Sequence, residues 1–416
     1  MKVKISKNNF YQILFVLCVF VPYFNNYELT FLTWLLTAIF TVQKKYSALF
    51  SIQIFCFGGV FLIAFFSSIF SDFKTYDFIR DIAYLLKPIL GLLIGYQLCK
   101  NKLNNPLKTI VLAGGFLAIY HLILVVFTIT IIGVGNMHDL RFYSGYFSDF
   151  EIYALVFLIF SKELKIEIFL RLKRYLILAL TVSSFFYLSR TNFIQFFVLY
   201  VALLGYLVIN KNTLIVLSSL LLTIGLLYAA ILYINPKRNG AGMEAFLYKI
   251  KIAPIEPFKT KINKEDYKDF NDNYRSVESI LTIRQSTNIS SYKIIFGQGL
   301  GSQVDLQRDV ELDGKMLRYI SILHNGFMTV FLKSGLIGVV LLLISVFSLR
   351  IYKVKASHDK HLNYILTGTL FFLLMSYWVF MGLYFKADTK SIIIGLVIAL
   401  IENRNRENVG KPLKVN

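Results

Sequence analysis

His324-Asn325-Gly326-Phe327-Met328-Thr329-Val330-Phe331-Leu332-Lys333-Ser334-Gly335-Leu336-Ile337-Gly338 opens an apolar run that continues to about residue 349. Directly before it lies a long, far more polar segment, residues 235–323. A run of that length and composition is a membrane-crossing helix, which needs roughly 20 apolar residues. Outward from it, eleven further apolar stretches cover most of the chain. All twelve lie near 10–23, 28–42, 48–70, 79–99, 109–132, 147–161, 175–189, 192–209, 213–234, 326–349, 363–385 and 389–401. The expected fold is an all-α, polytopic integral membrane protein of about twelve transmembrane helices with one large external loop.

Composition agrees. Hydrophobic residues make up 56% of the 416 residues and charged residues only 16%, and mean hydropathy is +0.61. A water-soluble domain carries about a quarter charged residues, so a soluble globule is excluded. The net charge of +20 would suggest nucleic acid in a soluble protein. Its distribution argues against that partner. Lys2, Lys4 and Lys7, then Lys44 and Lys45, then Lys100, Lys102 and Lys108 fall at alternate connections. Lys162, Lys165, Arg171, Lys173 and Arg174, then Lys211, then Arg350, Lys353, Lys355 and Lys360 continue the alternation, as do Arg404, Arg406, Lys411 and Lys414 in the tail. The intervening connections carry few, such as Lys74, Arg141, Lys386 and Lys390. This is the positive-inside pattern, which places both termini in the cytoplasm and segment 235–323 outside. The chain then divides into membrane helices 1–9 over 1–234, the external loop 235–323, helices 10–12 over 324–401 and a cytoplasmic tail 402–416. Within the loop, Ser276–Ile283 and Leu317–Leu323 are expected to form short helices. No small-residue cleavage site follows the first stretch, so it reads as an uncleaved span. Cys18, Cys56 and Cys99 all lie in apolar segments, which leaves the loop without a disulfide.

Several polar residues sit where they are costly or exposed to a surface. Arg80, Asp81 and Lys87 lie in the fourth stretch, where an ionisable group costs at least ~2.5–3.5 kcal/mol unless it faces protein or water. Arg80 and Lys87 share one helical face, and Asp77 lies one turn before Arg80. They form either a cationic stripe for an anionic headgroup or an internal ion pair with Lys87 snorkelling or bonding carbonyls near Pro88. His121 reads as a membrane histidine bonded to a neighbouring helix. Arg190, in a tight Ser189-Arg-Thr-Asn192 reversal, is either an interfacial anchor or a bidentate phosphate ligand. Phe296-Gly-Gln-Gly-Leu-Gly301 is a turn, or a backbone that approaches phosphate or sugar. Lys333, nine residues after His324, falls on the opposite helical face and is a weak partner for it. Glu265, Asp266, Asp269 and Asp272 lack ligand spacing and read as solvated loop. No metal and no cofactor is expected.

Arg190, Arg275, the Phe296–Gly301 turn and His324-Asn325 opening a glycine-spaced helix occur in that order, best over residues 141–345. The arrangement resembles the O-antigen polymerase and O-antigen ligase family of bacterial envelope glycan enzymes. The resemblance implies a glycosyltransferase-C-like architecture in the bacterial cytoplasmic (inner) membrane. It implies glycosyl transfer from an undecaprenyl-pyrophosphate-linked oligosaccharide to a sugar hydroxyl, without nucleotide sugar or metal. A chain-length regulator and a flippase are the protein partners it suggests. His324 would be the general base. Arg190 and Arg275 would hold pyrophosphate or sugar phosphate, with Arg141 a further contact and Arg80 and Lys87 second-rank contacts. A polymerase is favoured; a ligase acting on the lipid A core shares the same donor. A lipid-linked-sugar transporter is the rival of a different class, but it would carry a mid-membrane site between inverted repeats, and none is evident here.

Overall fold

A computed structural model describes residues 7–69, 73–101, 103–146, 148–207, 211–237, 243–252, 254, 269–270, 273–312, 315–354 and 359–409. Lys2, Lys4, Lys102, Lys355, Lys411, Lys414, Glu265, Asp266 and Asp272 lie outside these residues. The described chain is mostly helical. In order come α1 (Lys7–Phe20), α2 (Tyr27–Phe40), α3 (Ala48–Ser68), α4 (Thr75–Lys100), α5 (Pro106–Phe127), α6 (Met137–Ser144), α7 (Asp149–Ile159), α8 (Leu170–Phe186), α9 (Arg190–Leu203) and α10 (Lys211–Ile234). Then follow α11 (Met243–Ile252), α12 (Tyr274–Ile289), α13 (Ser291–Phe296), the hairpin β1 (Val304–Leu312) and β2 (Lys315–Ile320), α14 (Gly326–Ser348), α15 (Lys360–Val379) and α16 (Lys390–Val409).

Among the described residues, five helices are long and apolar enough to cross a membrane: α3, α4, α5 with its π-turn extension to Ile132, α14 and α15. The other apolar stretches also carry helices: α1, α2, α7, α8 and α9 are shorter, whereas α10 and α16 run 24 and 20 residues. Helix starts follow the sequence. Asn26, Ser47, Ser148 and Asn325 each accept a hydrogen bond from the backbone N–H three residues on. The bundle is apolar on its outside. On α14, Leu336, Val340, Ile344 and Phe347 form one exposed stripe, while the inward face exchanges hydrogen bonds between Gln53 and Ser345. Polar atoms turned inward and hydrocarbon turned outward suit a lipid solvent.

Two close approaches shape the bundle. Gly95 of α4 and Gly395 of α16 let these helices touch backbone to backbone; a Cβ at Gly95 would collide with the Ile392 carbonyl. The second lies at Gly335, whose left-handed φ of 65° breaks α14 into two pieces. This break was not expected from the uninterrupted apolar run. It leaves the Leu332 and Lys333 carbonyls without helical partners, and the N–H groups of Gln298 and Gly299 take them at 2.7 and 3.1 Å. The glycine string Gly297–Gly301 is therefore a packing device laid against α14 and α3, where side chains would collide with Ser334 and Ser68.

Two further expectations are corrected. Leu317–Leu323 does not form a helix: residues 315–320 are β2, paired antiparallel with β1 (Val304↔Ile320, Asp305↔Tyr319). Its inward side chains join Phe270, Val277, Leu281, Val304, Leu306 and Leu332 in a second small core under α12. The last helix also continues past residue 401 to Val409, and Lys100 and Tyr96 of α4 bind Glu402 on that extension at 3.0 and 2.7 Å.

The connections sort into two groups. The α2–α3 link, the end of α4 and the α16 extension meet at one end of the bundle through Ser47–Glu402 and Asn101–Thr41 bonds. Lys165 pairs with Asp359 at 2.9 Å and Tyr352 reaches the Leu49 carbonyl at 2.6 Å, adding the α7–α8 and α14–α15 links to that group. The alternate connections gather around one cavity.

Candidate functional site

His324 lies at the start of α14, where local chemistry leaves little freedom. Asn325 caps the helix by accepting from Met328 N at 3.1 Å. Thr329 Oγ1 accepts from Leu323 N at 3.0 Å, and Gly326 N donates to the Phe380 carbonyl at 3.0 Å. One carboxylate then fixes the residue twice. Glu278 Oε2 accepts the His324 backbone N–H at 2.8 Å, and Oε1 lies 2.9 Å from Nδ1. Glu278 is fully buried, whereas the histidine side chain remains about a third exposed. With Nδ1–H donated to the carboxylate, Nε2 keeps its lone pair for a proton acceptor role. Tyr274 meets the imidazole edge-on at 5.4 Å.

Glu278 and Arg275 are one turn apart on α12, so one helix presents a cation to the cavity and a carboxylate to the histidine. The small core described above seats that helix. Gln285 adds bonds to Gln298 Oε1 and the Gln303 carbonyl at 2.9 and 2.8 Å.

Arg190 opens α9 directly after Leu188, which adopts a left-handed φ of 46°. Helix α7 clamps this turn from both sides. Tyr187 donates to Glu151 at 2.8 Å before the turn, and Gln195 donates to the Asp149 carbonyl at 3.2 Å after it. Arg141, on α6, lies with its guanidinium carbon 5.5 Å from the centre of the Tyr146 ring. Burial lowers its pKa from the usual arginine value; Tyr146 opposes that shift and the neighbouring Arg190 adds to it. A guanidinium remains charged under such shifts.

Arg141, Arg190, Arg275 and His324 line a single open cavity of about 500 Å³, together with Asn25, Tyr84, Tyr146, Phe385 and Lys386. These residues come from the α1–α2, α8–α9 and α15–α16 connections, from α4, from α6 and the link after it, and from the polar segment. Among the described residues, no acidic side chain lines the cavity. Arg80 and Lys87 are not among the lining residues. Arg80 binds Asp77 at 2.8 Å and approaches Asp81 at 3.7 Å. Lys87 is buried and donates to the carbonyls of Phe385 and Lys386, with its ammonium 5.3 Å from the Trp34 ring centre. These carbonyls belong to another segment than the Pro88 region expected. His121 bonds Ser183 of α8 through Nδ1 at 2.8 Å, the neighbouring-helix contact expected for it. Lys333 turns away from His324 and pairs with Asp81.

Three features of the cavity escape a reading of the sequence. Glu278 is 46 positions from the histidine it holds, with only its one-turn spacing from Arg275 as a signal. Lys386 looks like any short-loop lysine. Tyr84 and Tyr146 are two among 26 tyrosines. Chemically, three guanidiniums and an ammonium around an oriented imidazole suit an anion whose neighbouring hydroxyl is to be deprotonated. No protein-family model matches the chain, and no curated protein matches it.

Proposed function

We propose that this protein is a membrane glycosyltransferase of the O-antigen or capsular polysaccharide polymerase kind, joining oligosaccharide repeat units carried on undecaprenyl pyrophosphate. The observation that carries the reading is the meeting of Arg141, Arg190, Arg275 and a Glu278-held His324 in one cavity. In the proposed step, His324 Nε2 accepts the proton of an acceptor sugar hydroxyl. The hydroxyl oxygen bonds to the donor's anomeric carbon as the bond from that carbon to the pyrophosphate oxygen breaks. The departing lipid pyrophosphate keeps the electron pair, and the arginines stabilise the charge it gains. General base catalysis of this kind contributes roughly 10²–10⁴-fold.

The gathering of alternate connections around the cavity favours twelve crossings. It supports both termini in the cytoplasm and a site on the outer face of the cytoplasmic membrane, with segment 235–323 over it. The test is direct. Purified protein in lipid nanodiscs is given defined lipid-linked repeats, and products are read by mass. Multiples of the repeat support polymerisation, and their loss in His324→Ala supports the base. Transfer only to a lipid A core acceptor would make the protein a ligase. Undiminished elongation by His324→Ala would remove the mechanism.

A further inference from the structure

The cavity is lined by three guanidiniums and an ammonium, yet the substrate proposed for it carries a long hydrocarbon tail that must reach lipid. One route leads there. A narrow crevice between α2 and α4 shares two of its lining residues, Tyr84 and Lys386, with the cavity. Its other walls are Tyr27, Thr30, Phe31 and Ala83, with Lys87 at the base. Farther along the same helix pair lies an apolar groove of about 360 Å³, bordered by Leu35, Ala38 and Ile39 of α2, by Val42 just beyond it, by Leu90, Leu93 and Gln97 of α4, and by Phe50, Ile54 and Phe55 of α3. The α2 positions 27, 30, 31, 35, 38 and 39 recur at helical spacing and so follow one face. They run roughly 18 Å at 1.5 Å per residue, more than half of a bilayer's hydrocarbon thickness.

The junction is positively charged. Lys87 is buried there and ties down the Phe385–Lys386 turn through both carbonyls. The Lys386 ammonium, partly exposed to the cavity, makes no hydrogen bond or ion pair among the described residues. A cation at the mouth of an apolar track fits an amphiphile with an anionic head and a long chain.

Resting on the proposed function, we infer that the α2–α4 face is the track for the isoprenoid tail of the lipid-linked substrate, and that Lys386 grips its pyrophosphate where head and tail part. The track is continuous with the cationic cavity, and the cavity's charge selects the head. The tail runs down the outside of α2, past the exposed Ile39 and Val42, where lipid is displaced instead of water.

A diazirine-bearing undecaprenyl pyrophosphate, photolysed with the intact protein in nanodiscs, tests this by peptide mapping. Labels concentrated in residues 27–42 and 83–97 are expected. Labels spread evenly over the lipid-facing helices, or centred on α9 or α15, overturn the track. Lys386→Ala is expected to lower labelling about tenfold, with Lys386→Arg retaining most of it. Equal labelling of wild type and Lys386→Ala overturns the grip. Focused labelling in a protein that cannot elongate glycan leaves this inference standing and sinks the polymerase; elongation with unfocused labelling does the reverse.

Discussion

Lys386 and Lys390 lie four residues apart, and the protein treats them in opposite ways. Lys390 is fully buried between Asp149 and Asp388, which neutralise it. Lys386 faces the cavity, with no carboxylate partner for its ammonium among the described residues. The same contrast separates the two regions they belong to. In the helical core, Lys333 meets Asp81, and Lys390 meets two aspartates. In the cavity, four cations line a wall without a carboxylate among the described residues. Lys333 and Lys390 thus carry carboxylate partners, whereas the described cavity wall presents positive charge of the kind that suits an anion.

The sharpest way to break this comparison is to exchange the roles. His324→Ala should lower glycan transfer about 10²–10⁴-fold with little change in thermal stability, read by turnover and melting of the same preparation. Lys390→Ala should do the opposite first: it strands two buried carboxylates and should cost about 3–5 kcal/mol of stability, visible as a lowered melting temperature in detergent. Were Arg190→Ala to destabilise the protein as much as Lys390→Ala, the distinction between the regions would fail. Arg190→Ala is instead expected to leave melting unchanged and weaken retention of undecaprenyl pyrophosphate. Glu278→Gln should reduce turnover roughly 10–100-fold, as loss of a group orienting a catalytic histidine does. Its mark is an altered pH–rate profile with KM little changed, which a merely structural carboxylate would not produce.

The smallest effect belongs to the hairpin. Arg318 holds Asp305 through two hydrogen bonds, at 2.8 and 2.9 Å, and lowers its pKa from the usual aspartate value. A depressed carboxylate contributes stability above its unfolded pKa and loses it as pH falls through the folded one. Amide exchange in residues 304–312 and 315–320 should therefore stay slow at neutral pH and quicken only below the usual aspartate range. Arg318 is about half exposed and Asp305 about a third exposed, so the change is slight and diminishes with salt.

Hydropathy made the helices legible, because a lipid solvent writes its demands residue by residue. Charge was legible in sign but not in partnership. Nothing local in the sequence separates Lys390, which finds Asp149 from 241 positions away, from Lys386, which pairs with no carboxylate among the described residues. Arg141, Arg190, Arg275 and His324 could be nominated from their order along the chain and from the phosphate-gripping chemistry of guanidinium, whereas Glu278 acts through a contact 46 residues distant. Segment 315–320 was misread because its apolar residues fit either period. The Asp313-Gly314 dipeptide before it, a strong hairpin signal, carried the better clue.

The break at Gly335 turns the stretch from His324 to that glycine into a measuring rod. Its far end is pinned to the Gln298–Gly299 backbone and to Asp81, so residue count acts together with the two Glu278 bonds to set the imidazole's depth and bearing. One residue inserted between the two would swing the ring by about 100° and shift it by about 1.5 Å, leaving every side chain present and the reaction centre out of register.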